Sequence, residues 1–352
     1  MHKIGNKKGM NNLIPFFLVS FAVLCAFGVI ASAFYLALFC RKNRPNYNFK
    51  PGQYCMEKSP NCPPRKEFYY LAGNSTLRGY YYHHGSSKKL VVLVHGFRSG
   101  ADDFLPLAQQ LVANGFCVFA FDCTGSYDSK GNSLIGMCQP LVDLDNTLKF
   151  IKTTPLKSYD LYLVGHSLGG YAVLSALKLH PDIKGCVALA PVCDATKIMV
   201  QKATQYIGPI ATIYQPFFQL LQRVTFGDYA SFGSIEGINS TTAPVLVVQG
   251  ATDKVVPPNT ISVTARQSEV TNPNAKFWHL EGILGGHCDL WHSRDAIVYK
   301  NFVTDCANAI KQNMPFYKQK LQSYYSGVDN ALYSQVSPQV MEKILQTFAQ
   351  AV

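Results

Sequence analysis

From Asn11 to Cys40 the chain reads NNLIPFFLVSFAVLCAFGVIASAFYLALFC, thirty positions without an Asp, Glu, Lys, Arg or His. No polar face recurs in it at helical spacing, so the run does not predict a surface helix with one wet side or an ordinary core helix. About 20 predominantly apolar residues suffice to cross a bilayer core in a helix, and Leu13 to Phe39 is longer than that. The pattern then changes. Pro, Asn and Lys crowd residues 41–65, which reads as a linker. KEFYYLA and LRGYYYHH are short aromatic runs around Gly73-Asn74, the pattern of a β-hairpin. Continuous apolar strands follow at KLVVLVHG (89–96), FCVFAFD (116–122), DLYLVG (160–165), KGCVALAP (184–191) and APVLVVQG (243–250). Helical spacing marks 102–114, stopped by Gly115, and 140–154. Unbroken rather than alternating hydrophobicity, with helices between, predicts an α/β fold with a mostly parallel sheet covered on both faces. The expected organisation is a basic tail over 1–12, a transmembrane helix over 13–40, a linker over 41–65 and one α/β domain over 66–352.

A net charge of +11 would suit a nucleic-acid binder if it lay on the folded body. It does not. Residues 1–66 hold ten Lys and Arg against the single Glu57, a net +9, which leaves the rest of the chain nearly neutral. No nucleic-acid partner is expected, and the charge brackets the apolar run. A cleaved export signal is the competing reading, with Lys3, Lys7 and Lys8 as its basic start and Ala31-Ser32-Ala33 as a small-residue cleavage site. The run continues through Phe34, Leu36, Leu38 and Phe39, beyond the 7–15 residues of a signal's apolar core, so an uncleaved anchor is the expectation. Arg41, Lys42, Arg44 and Lys50 balance the lysines before it, which leaves the side of the membrane open. Cys55 and Cys62 are spaced for a small loop disulfide, whereas Cys117 and Cys186 sit in apolar runs as buried thiols. Two N-S-T sequons, at Asn74 and Asn239, matter only in a glycosylating compartment.

The candidate chemistry centres on Gly165-His166-Ser167-Leu168-Gly169, between an apolar strand and an apolar helix. A serine in a sharp strand-to-helix turn exposes its hydroxyl, and the helix start offers N–H groups to a developing oxyanion. Such a hydroxyl needs a base and an acid to orient that base. Of nine histidines, His83 and His84 lie in the hairpin, and His180 ends the helix after the serine, where it suits the helix dipole. His287 lies in a glycine-rich loop after the apolar run AKFWHL. Asp253 follows a buried strand directly, in VQGATDKVVP. Asp194 and Asp289 are the alternative acids. Ser167, Asp253 and His287 give the order Ser…Asp…His at the carboxyl ends of strands.

LVHGF (93–97), FDCTGSYDSKGNS (121–133), GHSLGG (165–170), QGATDKVVP (249–257) and GGH (285–287) come in the order found in α/β-hydrolases. The chain resembles that superfamily, and within it the monoacylglycerol lipases and serine aminopeptidase-like hydrolases. The resemblance spans 66–313 and implies Ser167 as nucleophile, His287 as base and Asp253 as acid, with the backbone N–H groups of Phe97 and Leu168 as the oxyanion hole. DCTGSYDSKGNS departs from the commoner arginine-glycine-histidine-glycine form of its loop, which touches substrate choice and not the triad. Residues 191–243, aromatic and rich in Ile and Leu, stand where relatives carry a lid. No zinc spacing or phosphate-binding glycine motif occurs, so neither cofactor nor metal is expected. The expectation is a membrane-anchored serine hydrolase for small-molecule or lipid-like esters. A peptidase or thioesterase with the same triad, and a catalytically silent binding module, are the alternatives. Since the triad lies wholly beyond Lys66, the body is also expected to be soluble and active without its anchor.

Overall fold

The computed structural model describes residues 7–39, 63–131 and 134–351. The linker over 41–62, the Cys55–Cys62 pair, and Lys3, Arg41, Lys42, Arg44 and Lys50 lie outside them. The strands are β1 (Arg65–Ala72), β2 (Ser75–Tyr82), β3 (Lys89–Val94), β4 (Cys117–Phe121), β5 (Asp160–His166), β6 (Gly185–Leu189), β7 (Val245–Gly250) and β8 (Ala275–Leu280). They form one sheet in the order β1-β2-β4-β3-β5-β6-β7-β8. β1 and β2 are the expected hairpin, with Ala72 opposite Ser75 and Gly73 at φ +59 in the two-residue turn. β2 runs antiparallel to β4, and every later pairing is parallel.

The strands look uniformly apolar because each side chain finds a core on one face or the other. Leu90, Val92, Val94, Phe119 and Phe121 enter one cluster, and Val91, Leu93, Val118 and Ala120 the other. Helix α1 (Lys7–Phe39) precedes the sheet; α2 (Leu105–Ala113), α3 (Gln139–Lys152) and α4 (Leu168–Ala176) connect its central strands. The first cluster takes Leu141, Leu144 and Leu148 of α3 with Tyr171 and Val173 of α4. The second takes Leu107 and Leu111 of α2. Between β6 and β7 the chain makes an excursion through α5 (Ala195–Ile207), α6 (Gln215–Phe226) and α7 (Ser234–Asn239). After β8 come α8 (Arg294–Ala309), α9 (Tyr317–Ser326), α10 (Asn330–Tyr333) and α11 (Pro338–Ala349). Ser337 caps α11 and Pro338 starts it, and Phe348 packs 4.7 Å from the Tyr162 ring, so this last helix closes the second face.

α1 does not stand clear of the body. From Leu13 to Ala26 it is exposed at every position but Ser20, as Phe16, Phe17 and Phe21 illustrate. Its second half turns one stripe inward, made of Phe27, Gly28, Ala31, Phe34 and Tyr35, at the spacing of a helix face. Phe27 lies 5.0 Å from the Tyr214 ring and 6.5 Å from Phe217; Phe34 lies about 6 Å from both Tyr206 and Phe218. Ala31 and Tyr35 are buried, and the Tyr35 hydroxyl donates to the Ile135 carbonyl at 2.6 Å. The expectation of a body independent of its anchor therefore misses a packed contact. Cys117 and Cys186 are buried thiols as expected. His180 is not a dipole-capping residue but bonds Asp145, on α3, at 2.9 Å.

Candidate active site

β3 lies between β4 and β5, so the chain leaves it toward one edge of the sheet and returns on the other side. Loops that part in opposite directions leave a crevice at the carboxyl ends of the two strands, where open α/β sheets bind ligands. Ser167 follows β5 at that point with φ +56 and ψ −115, a left-handed conformation unusual for a residue with a side chain. The turn is tight enough to demand its glycines. A Cβ at Gly165 would fall on the Gly169 carbonyl, and one at Gly169 on the Val94 carbonyl oxygen. A Cβ at Gly96 would come within 3.2 Å of the Ser167 Cβ, so Gly96-Phe97 passes beside the serine. Leu168 is the first residue of α4, where N–H groups point outward without intrahelical partners.

His287, in the loop between β8 and α8, reaches across. Its Nε2 lies 3.0 Å from Ser167 Oγ and its Nδ1 2.7 Å from Asp253 Oδ2. A carboxylate only accepts, so Nδ1 carries the proton and Nε2 is left to accept from the serine. Asp253 is fully buried, and its carboxylate also accepts the Val255 and Val256 N–H groups at 2.8 Å and Gln249 Nε2 at 3.2 Å. Asp194 is elsewhere: it caps α5 by accepting the Lys197 N–H at 2.8 Å. Asp289 makes no bond to His287, although its charge is felt in that loop.

Three partners were not legible in the sequence. His166 Nε2 donates to the His287 carbonyl at 2.9 Å, and its ring packs 4.8 Å from Trp291. Burial, reinforced by the neighbouring His287, holds it well below the ordinary imidazole range, so it stays neutral. Gln249 is held by Ser262 Oγ at 2.6 Å and in turn steadies the Asp253 carboxylate. Trp291 stacks on Phe104 at 5.2 Å and closes the site behind His166. Their partners lie far along the chain, and only the adjacency of His166 to Ser167 could have hinted at one of them. A cavity of about 490 Å³ opens beside Ser167 and His287, and α5 contributes Ile198, Lys202 and Tyr206 to its lining.

The family profile described as "Serine aminopeptidase, S33" matches residues 85–228. A bis(hydroxyethyl) terephthalate hydrolase of Streptomyces coelicolor is 24% identical over 170 residues, 45% of this chain and 53% of that protein. Protein phosphatase methylesterase 1 of Schizosaccharomyces pombe is 28% identical over 123 residues, 33% of this chain and 36% of that protein. The chain thus spans about half or less of the length of these curated relatives. The Pyrococcus furiosus esterase Pf2001 superposes with a TM-score of 0.54 at 20% identity, covering 76% of this chain and 97% of that structure. Sheet order, the turn at Ser167 and these likenesses agree: the chain has the α/β-hydrolase fold and is similar, over residues 85–228, to the serine aminopeptidase family.

Proposed function

We propose that the protein is a membrane-anchored serine hydrolase of carboxylic esters. The observation that carries this reading is the pair of hydrogen bonds linking Ser167, His287 and Asp253 at a strained strand-to-helix turn. Ser167 Oγ attacks the ester carbonyl while His287 Nε2 takes its proton, and Asp253 stabilises the imidazolium through Nδ1–H. The N–H groups of Phe97 and Leu168 receive the oxyanion. As the tetrahedral intermediate collapses, His287 returns the proton to the leaving alcohol. Water then repeats the sequence on the acyl-enzyme and releases the acid and Ser167. That two relatives are called a hydrolase of a terephthalate ester and a methylesterase supports ester over amide cleavage here. The excursion over 191–243 acts as a lid, since α5 lines the cavity. Leu13–Tyr35 is long and apolar enough to cross a membrane, and its exposed N-terminal part serves as the anchor.

The test is covalent labelling. A fluorophosphonate probe should modify wild-type protein at Ser167, and Ser167→Ala should remove the label. Folded wild-type protein that takes no label would turn the reading toward a silent binding module.

A further inference from the structure

The cavity beside Ser167 is lined by three cationic side chains, Arg98, Lys202 and Lys300, and one carboxylate, Asp103. Asp103 is already committed. It accepts from Ser99 Oγ, from the Gly100 N–H at 3.1 Å and from the Tyr127 hydroxyl at 2.8 Å. Arg98 and Lys202 have no ion pair among the described residues, and Arg98 is exposed.

Lys300, on α8, is the informative one. Its Nζ donates to His292 Nε2 at 2.7 Å and stands 5.2 Å from the Tyr333 ring centroid. The other nitrogen of His292 donates to the Cys288 carbonyl at 3.1 Å, so Nε2 is a lone-pair acceptor and the imidazole is neutral. Burial and then the Lys300 charge push His292 down to about 3, which agrees. Asp289 lies close enough to be felt, yet among the described residues no carboxylate comes within 4.0 Å of the Lys300 ammonium. Burial lowers Lys300 to about 8, the mark of an ammonium taken out of water without a full counter-charge. Trp291, 6% exposed and on the same cavity, also has an indole N–H without an acceptor among the described residues.

We propose that the cavity selects esters whose acyl or alcohol part ends in an anionic group, a carboxylate or a phosphate, seated against Lys300. Arg98 and Lys202 add to the field that draws such a group in. This rests on the ester-hydrolase reading above and narrows its substrate class.

The experiment compares two substrates differing in one charge: the 4-nitrophenyl monoester of adipic acid, and the same compound methylated on its free carboxyl. For wild-type protein kcat/KM should favour the anionic ester by roughly tenfold or more, as a charge-assisted hydrogen bond in a partly desolvated site allows. Lys300→Met should bring that ratio close to one and Lys300→Arg should restore most of it. The ratio is internal to each variant, so a partial loss of folded protein does not imitate the effect. The monoester of 4-nitrophenyl 6-phosphonohexanoate, run alongside, separates a carboxylate site from a phosphate site by which anion loses more in Lys300→Met. A wild-type ratio near one, or a preference that survives Lys300→Met, overturns the proposal while leaving the ester reading intact. Failure to cleave either ester, together with absent probe labelling at Ser167, overturns both.

Discussion

Ser167 holds a backbone conformation that costs a non-glycine residue of order 1–3 kcal/mol. The cost is offset by what surrounds it: its N–H donates to the Leu189 carbonyl at 2.8 Å, and its own carbonyl receives the Tyr171 N–H at 3.1 Å. The hydroxyl is thereby held toward His287. His287 is itself held from two sides, by Asp253 on Nδ1 and by His166 on its carbonyl. The two acids that sequence order could not separate are now distinguishable by role. Asp253→Asn would present an amide where His287 needs an acceptor and favour the wrong tautomer, so ester hydrolysis should fall by about 10³–10⁴. Asp194→Asn keeps an N-cap side chain of equal quality on α5 and should stay within roughly tenfold of wild type. Steady-state kinetics on a small nitrophenyl ester measures both. A crippled Asp194→Asn beside an active Asp253→Asn would move the acid to the end of β6.

Among the elements, the contact of α1 with α5 and α6 bears most directly on activity. Phe34 touches Tyr206, and Tyr206 lines the cavity. Phe34→Ala removes a half-buried ring from that wall. The expected loss is ~1–2 kcal/mol, below the 3–5 kcal/mol of a fully buried Phe→Ala. KM should rise severalfold with little change in kcat, because the wall is disturbed and the hydrogen bonds at Ser167 are not. A proportional fall in kcat with KM unchanged would argue against this division. The sequence could not have revealed the contact. A helix that is apolar all round offers no polar face to single out the stripe from Phe27 to Tyr35. The sheet was legible for the converse reason, since Val91 and Val92 both enter a core and leave the unbroken hydrophobic signature of a doubly covered strand. That Ser167, Asp253 and His287 would lie together was legible, because the order of the strands places their loops at one end of the sheet. His166 and Lys300 were not, since their surroundings are assembled by loops 121 residues apart in one case and by the packing of α8 in the other.

At the scale of the whole molecule, the inward stripe makes α1 a spacer of fixed length. Leu13 to Ile30 is exposed for most of its course and, at 1.5 Å per residue, extends for about 27 Å, close to the thickness of a bilayer's hydrocarbon core. The next turn, Ala31 to Tyr35, is already part of the body. Among the described residues no free stalk separates the two, so under the proposed anchoring the cavity would stand at a set height above the bilayer core. The excursion packed against α1 shows Ile207, Ile210, Ile213 and Val224 outward, apolar residues suited to a headgroup layer. Height then becomes a variable that can be changed without touching the site. A polar helical heptad inserted after Ala26, ahead of the packed stripe that begins at Phe27, would lift the body by about 10 Å and rotate it by only about 20°. Hydrolysis of a water-soluble ester should be unaffected, whereas hydrolysis of an ester dissolved in the bilayer should fall several-fold, measured on reconstituted vesicles. Equal rates on the bilayer ester before and after the insertion would mean that substrate leaves the lipid before it is bound. Under the proposed anchoring and at the natural spacing, the substrate search would run in two dimensions, and the concentration governing the rate would be the surface density of ester in the leaflet rather than its amount in solution.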